Sequence, residues 1–279
     1  MGDHDRRGGD GLRQRLDPRE SRLSRPLVLI AENLCAARIP HAFTTRRGGV
    51  SRGAFASLNL GRGVADAPAA VRQNRDAVMR MLGFPPRQFV EAAQVHGPAV
   101  AVVTAADAGS KVEGADGMAT GDAGLVLAVH AADCVPILFA DSRTRTTAAV
   151  HAGWQGTAAG VATEAVRVMV DRFGSRPEDL LVAIGPSIGP CHYEVDEPVI
   201  ERFSAWPWWE EVAAPNDRRR WQLDLRAANR RQLTDLGVLP ERIEVLDLCT
   251  YCRAELFFSH RRDRITGRMA GVIALPATS

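Results

Sequence analysis

The chain has 279 residues, 46% hydrophobic and 24% charged, an ordinary globular composition with length enough for a sizeable core, which excludes general disorder. Its 35 basic and 33 acidic residues leave a net charge of +2, so no strong field draws it to nucleic acid or to an anionic membrane. Apolar stretches such as residues 124–132 fall well short of the roughly 20 residues that cross a bilayer.

Residues 1–26 hold almost nothing apolar and cannot offset the entropy of ordering, which predicts a disordered, Arg-rich tail. Seven arginines and five acidic residues precede Pro26 without the apolar stretch of a secretion signal. The five cysteines are widely spread and suggest no disulfide framework, so a reducing cytoplasm is the expected compartment. From 27 to 279 the pattern reads as one domain of mixed α/β (α+β) class. Short apolar runs predict strands over 27–34, 89–95, 100–104, 125–130, 135–140, 146–151, 180–185, 243–248 and 269–275. Helices are expected over Pro68–Leu82, Thr157–Phe173 and Asp224–Leu236, each followed by a glycine able to take the left-handed cap.

The most informative stretch is HAADCVPILFADSRTRTTAAVHAG, His130 to Gly153. Two apolar runs flank an Asp-Ser-Arg-Thr turn composition, which predicts a hairpin. With Ser142 and Arg143 as its loop, or with a four-residue loop from Asp141 to Thr144, Cys134 falls directly opposite His151. Opposed residues share a face with Cβ atoms about 5 Å apart, close enough for a thiolate and an imidazole to share one metal ion or one proton. The blander alternative is a small buried thiol beside a core histidine. His130 lies about 13 Å from Cys134 along a strand and is expected to be a wall or core residue. His96, in QVHGP, stands where an apolar strand meets a Gly-Pro break, a common position for residues that face a site. Periodicity alone does not bring it to the hairpin.

After His151, AGWQGTAAG leads into the expected Thr157 helix, whose free N–H groups would suit an anion near Gly153 or would form only a tight connection. Arg46, Arg47 and Gly48-Gly49 are expected in a loop, where arginine can grip phosphate or carboxylate through paired hydrogen bonds. The CxxC of Cys249 and Cys252 lacks a second pair and reads as loop and core structure rather than a zinc ribbon. HRRD, His260–Asp263, could supply cations to a pocket but reads more simply as a solvated loop, and Cys191 in GPCHYEV reads equally as loop packing or a pocket neighbour.

Taken together, TTRRGGVSRGAFASLNLG, QVHG, ADCVPILFAD, VHAGWQGTAAG, AIGPSIGPCHYEV and CTYCRAELFFSHRRDRITGRMAGVI cover nearly all of the chain after residue 40. In this order they resemble the YfiH-type family, also called the laccase-domain or polyphenol oxidase family and similar to purine nucleoside phosphorylases of that type. The resemblance implies a compact fold of mixed sheets flanked by helices, with His96, Cys134 and His151 as ligands of zinc, copper being possible. It implies zinc-dependent phosphorolysis of adenosine, inosine or methylthioadenosine by inorganic phosphate to the free base and a ribose 1-phosphate, with adenosine deaminase activity besides. Arg46 corresponds to the arginine of the family's TTR motif and is expected, with Gly153, to hold phosphate. Gln155 departs from the basic residue that many relatives carry in GWxG. Two imidazoles and one thiolate leave a fourth position open on zinc, the arrangement of a catalytic rather than a closed structural site.

Two other enzyme readings stand beside this one. A copper-dependent polyphenol oxidase of the multicopper kind is disfavoured, because the chain has seven histidines and no HxH, although one soft ligand and two imidazoles can hold a single copper ion. A cysteine hydrolase or amidase, with Cys134 as nucleophile and His151 as base, is allowed by the same hairpin, and the family resemblance also implies the editing of peptidoglycan precursors. A zinc-stabilised interaction module is the non-enzymatic alternative.

Overall fold

A computed structural model describes residues 25–276, so the expected tail, apart from Arg25 and Pro26, lies outside the described residues. In chain order the elements are β1 Val28–Leu29, α1 Glu32–Ala36, β2 His41–Thr44, α2 Pro68–Leu82, β3 Phe89–Ala93, β4 Val100–Val102, β5 Lys111–Glu113, β6 Gly117–Thr120, β7 Val126–Ala131, β8 Val135–Asp141 and β9 Thr146–Ala152. They continue with α3 Trp154–Ala158, α4 Val161–Phe173, β10 Leu181–Ile184, β11 Glu194–Val195, α5 Glu197–Phe203, α6 Trp209–Val212, β12 Ala213–Pro215, β13 Trp221–Leu223, α7 Leu225–Asp235, β14 Ile243–Val245, α8 His260–Asp263 and β15 Met269–Ala274.

Two mixed six-stranded sheets organise the domain, in the orders β1-β2-β15-β7-β3-β5 and β14-β10-β8-β9-β6-β4, with a small third sheet β11-β13-β12. Side chains alternate across each strand, so one strand serves two cores. Leu127 and Val129 of β7 meet Leu138 and Ala140 of β8 and Ala149 of β9 between the sheets. Val126 and Ala128 face the other way, onto Val78 and Met79 of α2. Ile137, Phe139, Ala148 and Val150 turn from the inter-sheet core toward α4 and α7, where Val161, Val166, Met169 and Leu233 cover them. The result is four layers, helix, sheet, sheet, helices, in which the central strands are buried on both faces. That is why they read as continuous apolar runs.

The α2 helix has the expected bounds, with Pro68 in its first turn and Gly83 closing it in the left-handed conformation at φ 82°. Its buried face includes Asn74 and Arg75 among Val71, Val78 and Met79. The α7 helix agrees within a residue, because the Asp224 carboxylate caps the N–H groups of Arg226 and Ala227. The expected single helix over 157–173 is instead two: α3 begins at Trp154, and Gly160 turns left-handed at φ 80° before α4. The expected strand over 27–34 ends at Leu29, because the N–H groups of Glu32 and Asn33 dock on the Glu244 carboxylate at 2.9 and 2.8 Å and open a short helix. Among the described residues no helix is long and apolar enough to cross a membrane.

The expected hairpin exists as β8 and β9, but its register is shifted by two residues. Asp141 pairs with Thr146 and Pro136 with His151, so Cys134 is not directly opposite His151. The loop is longer because Asp141 Oδ1 accepts from the N–H groups of Arg143 and Thr144 and Arg145 takes a left-handed φ of 54°. A shift of two leaves the faces unchanged, and Cys134 remains the diagonal neighbour of His151.

Candidate metal centre

Asp116, just before β6, builds the site, and the reading of the sequence missed it. Its carboxylate accepts the N–H groups of three successive residues, Val95 at 3.0 Å, His96 at 3.0 Å and Gly97 at 2.8 Å. This cradle holds the turn after β3 with His96 at φ 62°, a left-handed conformation that a non-glycine residue keeps only when its surroundings impose it. The same carboxylate lies 2.8 Å from His151 Nδ1, and the Asp116 carbonyl accepts the His151 N–H at 2.7 Å. With Nδ1–H committed to the carboxylate, Nε2 is the nitrogen left to act as a ligand. A faint signal was in reach: a lone Asp between small residues in Gly114-Ala115-Asp116-Gly117, fully buried here, needs partners.

Cys134 reaches the same point from the connection between β7 and β8, where the chain leaves one sheet for the other. Asp133 makes that turn at φ 96°, its two carboxylate oxygens accepting from Thr250 Oγ1 and from the Arg261 N–H, each at 2.7 Å. One ligand atom from each of His96, Cys134 and His151 lies within 4.8 Å of the other two. The two imidazoles stand edge to face with centroids 4.9 Å apart. Gly153 leaves the space: a Cβ there would lie 3.0 Å from His96 Cδ2 and 3.2 Å from Cys134 Sγ.

Burial opposes ionisation of Cys134, but the charge of His151 and hydrogen bonds from His151 and His96 outweigh it and bring the thiol down to about 6. His151 is pushed the other way, to about 9, since the Cys134 charge and the Asp116 hydrogen bond outweigh its desolvation. A thiolate beside two oriented imidazoles is the donor set of a borderline-soft ion such as Zn²⁺, and the three residues fit one. They line a cleft of about 500 Å³ with Arg62, Glu91, Lys111, His130, His260 and Arg268, a size suited to a small molecule.

His130 is a wall residue of this cleft. Its Nε2 is 2.8 Å from Glu91 Oε2, which Arg75 Nη2 also reaches at 2.6 Å. Arg46 is not brought to the cleft lining. Its Nε donates to the Ala56 carbonyl and its Nη1 to the Ala254 carbonyl, and its guanidinium sits 4.7 Å over the Phe258 ring, so its donors brace loops. The helix start expected at Thr157 lies instead at Trp154, with Gly153 as its cap, in a helix of five residues. HRRD is a short helix rather than a solvated loop: Arg262 Nη1 donates to the Thr250 and Tyr251 carbonyls, and His260 reaches the cleft. Cys249 and Cys252 are more than loop packing, since the fold brings Cys191 and His192 to them.

The two-sheet core and the His-Cys-His site opening on a cleft define a laccase-domain protein of the YfiH and YlmD kind. The chain belongs to this family: a family model described as multi-copper polyphenol oxidoreductase laccase matches residues 40–276. It is 43% identical over 245 residues to the purine nucleoside phosphorylase YlmD of Geobacillus stearothermophilus, covering 82% of this chain and 88% of that one. It is 40% identical to the purine nucleoside phosphorylase YfiH of Shigella flexneri, over 83% of this chain and 92% of that one. The crystal structure of a Bacillus licheniformis hypothetical protein YfiH superposes with a TM-score of 0.86 at 37% identity, covering 90% of this chain and 97% of that one.

Proposed function

We propose that this chain is a metal-dependent purine nucleoside phosphorylase that splits adenosine, inosine or methylthioadenosine with inorganic phosphate. The observation that carries the reading is the convergence of His96, Cys134 and His151 on one wall of a cleft whose other walls present Arg62, Lys111, His260 and Arg268. Relatives at about 40% identity that bear the purine nucleoside phosphorylase name support it.

In this reading His96, Cys134 and His151 hold zinc, which supplies positive charge and an open coordination position for polarising a bound group. Arg268, with His260 and Arg62, binds phosphate through charge-assisted hydrogen bonds and aims one of its oxygens at C1′ of the ribose. The new bond to phosphate forms as the bond from C1′ to the purine nitrogen breaks, the departing base keeping the electron pair and taking the proton that the attacking hydrogen phosphate gives up. Asp116 acts through His151, holding its ring and tautomer. Hydrolytic deamination of adenosine is proposed as an additional activity at the same centre, and the cytoplasm as the compartment.

The test is chromatography of products from adenosine with zinc-loaded protein, with and without phosphate, beside Cys134→Ala. Adenine formed only with phosphate, and lost in the variant, is the expected result. Inosine formed without a phosphate requirement makes deamination the main reaction. No product from fully metal-loaded protein overturns the nucleoside reading and favours the amidase alternative.

A further inference from the structure

Outside the cleft the fold assembles a second set of soft donors. Cys191 and His192 come from the loop between β10 and β11, and Cys249 and Cys252 from the turn after β14. Cys191 Sγ and Cys252 Sγ are 3.7 Å apart, and His192 Nδ1 is 3.2 Å from the first and 3.3 Å from the second. One ligand atom from each of the four residues lies within 4.8 Å of the rest. A tetrahedral ion with sulfur at about 2.3 Å and nitrogen at about 2.0 Å sets sulfur edges near 3.7 Å and mixed edges near 3.5 Å. The separations here are close to those edges, and the sulfurs stand far beyond the roughly 2.0 Å of a disulfide.

The surroundings are those of a metal-binding turn. The Gly189 N–H donates to Cys249 Sγ at 3.3 Å, a bond that favours a thiolate. The His192 ring stacks on Tyr251 at 4.1 Å between centroids, which fixes the direction of Nδ1. Ser187 and Cys249 form an isolated parallel bridge, and the Thr250 N–H donates to the Ser187 carbonyl at 3.0 Å, so the two segments are already registered.

We propose that Cys191, His192, Cys249 and Cys252 form a closed Cys₃His zinc site, separate from the His96-Cys134-His151 centre. Four protein donors leave no open position, so the site is structural. It pins the segment around Ser187–His192 to the turn of Cys249–Cys252, and both reach Asp133: Thr250 Oγ1 bonds its carboxylate at 2.7 Å and the Ile188 N–H its carbonyl at 2.9 Å. Asp133 makes the left-handed turn that presents Cys134, so the second site positions the first.

The test is metal analysis of the full-length chain reconstituted with zinc and passed over a desalting column. Wild type is expected to retain at least one equivalent more than Cys191→Ser/Cys252→Ser, while Cys134→Ala keeps the equivalent of the second site. Cobalt in place of zinc gives a second readout that does not rely on the double variant folding. The thiolate-to-cobalt charge-transfer band of Cys134→Ala should carry the intensity of three thiolates and fall by at least a third in Cys134→Ala/Cys252→Ser. Equal zinc content in wild type and double variant, no such band in Cys134→Ala, or a Cys191–Cys252 disulfide in the native protein each overturns the proposal. Because none of these readouts involves nucleoside turnover, failure of the phosphorylase reading leaves them intact.

Discussion

Asp116 holds His151 twice, by its carboxylate at Nδ1 at 2.8 Å and by its carbonyl at the backbone N–H at 2.7 Å, while also gathering the turn that carries His96. One buried carboxylate thereby sets two of the three candidate donor side chains. Asp116→Asn keeps the size but removes the charge that favours the Nδ1–H tautomer. Zinc retention, measured by competition with a chromophoric chelator, is expected to weaken by about 10–100-fold in a folded protein. Unchanged affinity would remove Asp116 from the design of the site.

Gly153 carries its role through what it lacks. In Gly153→Ala the added methyl meets His96 Cδ2 at 3.0 Å and Cys134 Sγ at 3.2 Å, and the imidazole must give way. We expect zinc affinity to fall by about tenfold or more, by analogy with other losses of ligand orientation, with a thermal midpoint of the apo protein close to wild type.

Phosphate dependence separates two arginines. Arg268 lines the cleft, so Arg268→Ala should raise the KM for phosphate by about tenfold or more, as expected for a lost charge-assisted contact. Arg46 instead braces the Ala56 and Ala254 carbonyls and covers Phe258. Arg46→Ala should cost about 1–2 kcal/mol of stability in denaturant titrations and leave the phosphate KM alone.

Acid stability should report on Glu91. Burial alone would raise its pKa, but hydrogen bonds from His130 and Arg75 outweigh that and hold the carboxyl well below the usual carboxylate range. A carboxyl depressed in the folded state contributes stability above its unfolded pKa, about 4.3, and that contribution is lost as pH falls from there toward the folded value. Glu91→Gln leaves Arg75 buried without its charge partner and should cost about 3–5 kcal/mol near neutrality. The gap between variant and wild type should close as the pH is lowered below 4, read by urea unfolding across the pH series.

Elements whose ends are written in local chemistry were legible in the sequence. Pro68 and Gly83 bracket α2, Asp224 caps α7, and the apolar runs mark the central strands of both sheets. The hairpin was legible to its face and not to its register, since the register depended on which N–H groups the Asp141 side chain would accept. The expected helix over 157–173 ran through Gly160, because nothing local distinguishes a glycine inside a helix from one in a left-handed turn. The site was less legible than the fold. Asp116 has no motif of its own, and its meaning comes from N–H groups of the 95–97 turn that only the sheets bring to it. Cys191 and His192 were likewise invisible as partners of Cys249 and Cys252, because the Ser187 bridge that joins their loops is a tertiary contact.

The three candidate donors of the cleft do not belong to one layer. His96 follows a strand of the first sheet, His151 lies within a strand of the second, and Cys134 sits where the chain passes between them. An ion held there would be a rivet through the sandwich, and its binding would add to the protein's folding stability. Each tenfold rise in free metal above the dissociation constant then adds about 1.4 kcal/mol to the folded state. Leu138 and Ala149, which pack between the sheets without touching the ion, then share with it the task of holding the two sheets together.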